Sequence, residues 1–204
     1  MKIALLIEGQ TERVFLPHLR DFLQARLPGR MPRLDPVPYD GRVPVGEHLR
    51  KEVEWLLEYG KPPADAVVAL TDVYTGTTAP DFTNAQDAKS KMRVWAGDNN
   101  KFFPHAAQYE FEAWLLPFWG TIQRLAGHDK TAPSGTPEAV NHMRPPSVRI
   151  QEIFRTGSRG RGYVKPRDAG RILRENNLLD SAKACPELRA LLNTFLRLCG
   201  GQEI

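Results

Sequence analysis

Long apolar runs, paired histidines and clustered cysteines are all missing from this chain, and each absence removes a class of protein. No stretch approaches the length required to span a bilayer, so a membrane protein is not expected. The two cysteines, Cys185 and Cys199, lie near no histidine pair, which argues against a disulfide framework and a zinc site. They read as semi-buried thiols of a cytosolic protein. None of the five histidines has ligand-like spacing. There is no Walker-type glycine-rich loop, so the chain is not itself an ATPase. Internal repeats and low-complexity tracts are also lacking. No charged-then-apolar leader precedes the first apolar segment, and a cytoplasmic location is expected.

What is present is an ordinary globular composition: 204 residues, 41% hydrophobic and 25% charged. That length supports one domain, or one domain with an appended subdomain. The texture changes near residue 127, so the expected division is a core over 1–126 and a helical extension over 127–204. The net charge of +4 is local in origin. Residues 155–174 hold seven basic side chains against one acid, a net of +6, which leaves the rest of the chain at about −2. Glycines run through the first half of this segment, predicting a flexible basic loop before a helix from Ala169 to Asn176. Such a loop suits contact with a phosphate backbone, and Arg159, Arg161, Lys165, Arg167 and Arg171 are the candidate contacts.

The apolar segments are short and end on acids. Ile3 to Ile7 forms a run that reads as a buried strand, closed by Glu8 and a turn at Gly9. Thr11 is placed to cap the helix that follows, from Glu12 to about Leu27. The proline-punctuated segment 31–39 has room for one short edge strand at most. A helix is expected from Gly46 to Tyr59, then a buried strand Ala66 to Leu70 running into Asp72. After a loop from Thr75 to Thr83, a helix Asn84 to Ala96 buries Ala88, Met92 and Trp95. Residues 102–109 read as another strand and lead into Glu110 and Glu112. Thr136-Pro137-Glu138 is a helix start, a short helix ends near Phe154, and Pro186 to Leu198 closes the chain. Apolar strands that alternate with helices and finish on carboxylates are the pattern of a parallel α/β sheet with an acidic site at one edge.

The motifs Ile7-Glu8-Gly9-Gln10-Thr11-Glu12, Asp72-Val73-Tyr74 and Tyr109-Glu110-Phe111-Glu112-Ala113-Trp114-Leu115-Leu116 together resemble the DUF4276 family, a domain of unknown function. Thr136-Pro137-Glu138-Ala139-Val140-Asn141, Pro146-Ser147-Val148-Arg149-Ile150 and Tyr163-Val164-Lys165-Pro166 follow in the same order, so the likeness spans nearly the whole chain. That family is similar to the TOPRIM domains of topoisomerases, primases and overcoming-lysogenization-defect nucleases. The resemblance implies a Rossmann-like TOPRIM core with a parallel central sheet, a divalent-metal site at the strand ends, and a bacterial anti-phage setting beside an ABC- or AAA-type ATPase. Position by position, it aligns Glu8 with the first-strand glutamate, Glu12 with the second acid of the nuclease branch, and Asp72 with the first aspartate of Asp-x-Asp. Glu110 and Glu112 align with the family's His-Glu-Phe-Glu-Ala stretch, Tyr109 replacing the histidine. Tyr74 stands where the second aspartate would be.

These expectations combine into a candidate site. Glu8, Asp72 and Glu110 would bind Mg²⁺ or Mn²⁺ directly, Glu12 and Glu112 would complete the set, and Lys165 would stabilise transition-state charge. The expected activity is endonucleolytic cleavage of DNA or RNA with an ATPase partner, and homo-oligomers are possible. The alternatives are a non-catalytic TOPRIM-like module of such an ATPase complex and nucleotidyl transfer of primase type.

Overall fold

In the computed structural model, residues 1–74, 81–140, 144–158 and 160–204 are described. Most of the loop expected at 75–83, Asn141 and the candidate contact Arg159 therefore lie outside the described residues. The chain runs β1 (Lys2–Glu8), α1 (Gly9–Gln24), β2 (Arg33–Tyr39), α2 (Gly46–Glu58), β3 (Ala66–Asp72), α3 (Ala85–Trp95) and β4 (Phe102–Ala107). A 3-10 segment (Phe111–Phe118) continues directly into α4 (Trp119–Ala126). A short 3-10 turn (Pro137–Ala139), α5 (Pro146–Thr156), α6 (Lys165–Arg174), α7 (Leu178–Ala184) and α8 (Pro186–Leu198) complete the chain.

The strands form one parallel sheet in the order β2-β1-β3-β4. Their alternating side chains supply two cores. Ile3, Leu5, Ile7, Val68 and Leu70 face one side, packed by α1 and the C-terminal helices. Ala4, Leu6, Val67 and Ala69 face the other, packed by α2 and α3. Because both faces are covered, β1 is buried throughout, which explains why it reads as a continuous apolar run. The α/β architecture with a helical C-terminal part is the one expected from the sequence.

Both outer strands contain proline, and the ladder explains how they tolerate it. The Arg33 N–H donates to Met1 O at 3.0 Å, so by the strand's period of two the odd-numbered amides of β2 point at β1. Pro36 and Pro38 fall on the alternate, outward positions, where no donor is missed. β2 is consequently seven residues long, more regular than its composition suggests. Pro104 lies in β4, the other edge.

Several boundaries differ from the sequence pattern. Helix α1 begins at Gly9, without a side-chain cap from Thr11, because Gly9 at φ +55° turns β1 straight into the helix. Thr136 likewise makes no cap hydrogen bond, and the helix start there is only a 3-10 turn. β4 stops at Ala107, and Trp95 is half-buried rather than buried. Helix α6 starts at Lys165, four residues before Ala169: the Asp168 carboxylate accepts the Val164 N–H at 2.9 Å, and Pro166 occupies the first turn. Helix α7 has no counterpart in the sequence pattern.

Candidate metal centre

Parallel sheets bind ligands where the strand order reverses, outside the carboxyl ends of the strands. Here the chain goes from β1 outward to β2 and then crosses to β3, so the reversal falls between β1 and β3. Glu8 is the last residue of β1 and Asp72 the last of β3. Adjacent strands thus bring two acids that are 64 positions apart in sequence to one rim.

Glu8, Asp72 and Glu110 are each anchored by a segment other than their own. One oxygen of Glu8 accepts the Thr71 hydroxyl and the Val43 N–H, the latter at 3.1 Å. Its other oxygen is 3.4 Å from the Asp72 N–H. Asp72 accepts the Phe111 N–H at 2.9 Å, and Glu110 accepts the Ser147 N–H at 2.9 Å. Among the described residues, no donor reaches the second oxygen of Asp72 or of Glu110. Glu12, in the first turn of α1, curls back over the start of its helix: a Cβ placed on Gly9 would lie 3.3 Å from its Oε2. The positive φ is what calls for glycine at position 9, and a side chain there would also press on the Glu12 carboxylate.

Glu8, Glu12, Asp72 and Glu110 line one cavity of about 480 Å³, together with Tyr74 and Lys165. Glu112 does not line it. Its carboxylate is 99% buried behind Lys165, 3.3 Å from the Lys165 ammonium, and the Tyr163 hydroxyl donates to it at 3.4 Å. The structure thus brings four of the five acids to the cavity and sets the fifth against the lysine.

Burial and mutual repulsion raise the pKa of this group. Burial, then Glu8 and Glu112, push Glu12 up to about 8. Burial and the charges of Glu12, Glu8, Glu112 and Glu110 push Asp72 well above the carboxylate range. Glu8 is raised by burial, opposed by its hydrogen bonds to Thr71 and Val43. Burial raises Glu112 too, against Lys165. Burial disfavours the Lys165 charge, but Glu112, Glu110 and Asp72 outweigh it and lift the ammonium above its ordinary value. Such an acid set is short of positive charge, and its hard oxygen donors suit Mg²⁺ or Mn²⁺. Among the described residues, however, no three acids are already drawn together as a ready coordination cage. A cation would have to gather them.

Tyr74, at the position expected for a second aspartate, and Tyr109, at the position expected for a histidine, meet in space. The rings of Tyr74 and Tyr109 lie 5.3 Å apart, and the Tyr74 N–H donates to Tyr109 O at 2.8 Å. Tyr109 has φ +68°, an uncommon conformation for a bulky residue, and it precedes Glu110 directly.

Three of the basic candidates, Arg161, Arg167 and Arg171, gather around one acid. Asp168 is fully buried, with Arg167 at 2.8 Å, Arg161 at 3.5 Å and Arg171 at 4.0 Å. Burial would raise its pKa, but Arg167 and the Val164 amide hold it below the ordinary range. Three guanidinium groups against one carboxylate leave two positive charges in excess at this surface.

Sequence reasoning missed the groups that hold the acids. The Val43, Phe111 and Ser147 donors are backbone amides, which no residue type announces. Thr71 adjoins the motif that begins at Asp72, and Tyr163 opens the motif that holds Lys165, so both positions were a usable signal.

Fold and rim together define an α/β protein with an acidic site at the carboxyl ends of a parallel sheet. Within that class, the chain belongs to the family described as "Domain of unknown function (DUF4276)", whose model matches residues 7–196. Its fold is similar to the C-terminal region of the Burkholderia pseudomallei OLD protein, with a TM-score of 0.51 at 16% identity over 97% of this chain and 98% of that one. The C-terminal region of the Xanthomonas campestris pv. campestris OLD protein matches with a TM-score of 0.46 at 14% identity, over 98% of this chain and 96% of the other. No curated protein matches the chain. Among the described residues, no helix is long and apolar enough to cross a membrane.

Proposed function

We propose that this protein is a divalent-metal-dependent, TOPRIM-like endonuclease that cleaves DNA or RNA phosphodiesters in the cytoplasm, as the effector of a bacterial anti-phage system with an ABC- or AAA-type ATPase partner. The observation that carries this reading is that Glu8, Glu12, Asp72 and Glu110, delivered by three separate segments of chain, share one cavity with Lys165 at the sheet's switch point.

Glu8, Asp72 and Glu110 would hold Mg²⁺ or Mn²⁺, with Glu12 completing the set. A divalent ion bound there would supply charge neutralisation and Lewis-acid polarisation of the phosphodiester. The protein's own part is orientation and electrostatics. The Val43, Phe111 and Ser147 amides fix one oxygen each of Glu8, Asp72 and Glu110, which orients these carboxylates while leaving a cation to draw them together. Lys165 faces the same cavity with its charge stabilised by Glu112, where an ammonium lowers the energy of the extra negative charge on a pentavalent phosphate. Arg161, Arg167 and Arg171 would hold the flanking strand through the excess charge around Asp168, with Arg159 in the same segment.

Incubation of the purified protein with Mg²⁺ or Mn²⁺, its ATPase partner, and single- and double-stranded DNA and RNA tests this. Cleavage that Glu8→Gln abolishes is expected; intact nucleic acid under every condition ends the proposal.

A second reading, a non-catalytic module of the same ATPase complex, is favoured by Tyr74 at the second aspartate position and by the lack of a ready three-acid cage among the described residues. Mn²⁺ titration followed by electron paramagnetic resonance separates the two. Binding lost in Asp72→Asn supports the nuclease, and no binding supports the module.

A further inference from the structure

A second cavity, of about 190 Å³, lies between α3, β4 and α8 and shares no lining residue with the acid-lined one. Its wall on α3 is Gln86, Lys89, Ser90 and Arg93, at the i, i+3, i+4 and i+7 spacing that places side chains on one helical face. Thr194 and Arg197 contribute from α8, and His105 from β4.

His105 is 94% buried. Its Nε2 is 3.0 Å from the Thr194 hydroxyl, while its Nδ1 is buried with no hydrogen-bond partner among the described residues. Orphaned buried polar atoms are rare and unfavourable, so this one points to a missing partner. Burial drives the imidazole pKa down to about 3, and the charged groups acting on the ring, Lys89, Arg197 and Arg93, are all cationic and push the same way. Glu187 neutralises Lys89 at 2.6 Å and Glu203 pairs with Arg197 at 3.1 Å. Arg93 has no ion-pair partner among the described residues. Among the described residues no carboxylate lines the cavity, so its lining favours an anion over a metal cation, and the volume is below that of pockets that enclose nucleoside-sized ligands.

We propose that this cavity binds a tetrahedral oxyanion, phosphate or a terminal phosphoryl group, seated on His105 and Thr194 and held by Lys89, Arg93 and Arg197. Arginine suits this role because its planar donors match phosphate oxygens in pairs. Ser90 and Gln86 add neutral donors at the mouth. The site stands whether or not the acidic rim is catalytic.

Inorganic phosphate is titrated into the full chain at constant ionic strength against matched chloride, followed by calorimetry and by the imidazole NMR signal of His105. Saturable binding that moves this signal is expected, weakened about tenfold or more in Arg93→Gln and unchanged in Arg50→Gln. Arg93 is exposed, so its substitution leaves the fold intact, and an unaltered melting temperature verifies this. With chelator present, a 5′-phosphorylated oligonucleotide is compared with its 5′-hydroxyl counterpart. Preference for the phosphorylated strand at this site identifies the ligand as a chain end, and equal binding identifies free phosphate. Absence of a saturable phosphate effect on His105, or one that Arg93→Gln leaves intact, overturns the proposal.

Discussion

At the residue scale, the acidic cluster makes stability depend on pH and on metal in a definite direction. Glu12 is raised from an ordinary 4.5 to about 8, with Asp72, Glu8 and Glu112 raised beside it. The folded state therefore binds more protons than the unfolded chain. Its stability is fully present below the unfolded value and is lost as the pH rises through about 8. Melting of the chelated protein from pH 5 to 8.5 should show a falling midpoint, at about 2–4 °C per kcal/mol for a chain of this size. Saturating Mn²⁺ should flatten that slope; a slope unaffected by Mn²⁺ would count against a cation among these acids. Lys165 acts at the same scale. Lys165→Met leaves the buried Glu112 carboxylate without its cation, and about 1–2 kcal/mol of stability should be lost, discounted because Lys165 is half-exposed. Turnover should fall about 100-fold with little change in KM. The residue types of this site were legible because acids at the ends of apolar runs stand out. The division between four cavity acids and a lysine-paired Glu112 was not, since it depends on which way a buried 3-10 segment turns.

At the element scale, two contacts fix where the C-terminal helices sit. Glu138 accepts the Glu187 N–H at 3.1 Å, the Leu188 N–H at 3.4 Å and the Trp114 indole N–H at 2.9 Å. A carboxylate from a distant turn thereby caps α8 and ties it to the 3-10 segment that follows Glu110. Glu138→Ala should destabilise by about 1–2 kcal/mol in urea unfolding, and Glu138→Gln, which keeps an acceptor oxygen, by less. Helix α6 meets α1 closely at Gly170, where a Cβ would lie 2.6 Å from Val14 Cγ1. Gly170→Val should push the helices apart, lowering the melting temperature and, because Lys165 begins α6, the turnover as well. Retained turnover in a destabilised Gly170→Val protein would show that α6 does not position the lysine. Periodicity announced α2, α3 and α8, whose apolar faces repeat clearly. It missed α7, which is too short at seven residues to establish a period. It also started α6 late, because glycines and prolines read as a loop until the Asp168 side chain closes on the Val164 amide.

At the scale of the whole molecule, the sheet and the C-terminal helices share one core. Ile3, Leu5 and Ile7 of β1 pack in the same cluster as Trp114, Phe154, Ile172 and Phe195. A chain truncated after residue 126 should therefore lack cooperative thermal unfolding and expose its apolar face to hydrophobic dyes; a sharp transition would show that the first 126 residues fold alone. The alternation of apolar runs with amphipathic segments was enough to determine a parallel α/β sheet, because burial on both faces demands continuous hydrophobicity whatever the details of packing. The acids at the strand ends were likewise written in the chain. Only the tertiary structure decided which strands become neighbours, and hence that Glu8 and Asp72 face one cavity at the point of reversal. It alone set His105 amid cations, since Lys89 and Arg93 come from α3 and Arg197 from α8, and proximity between them exists only once the chain has folded.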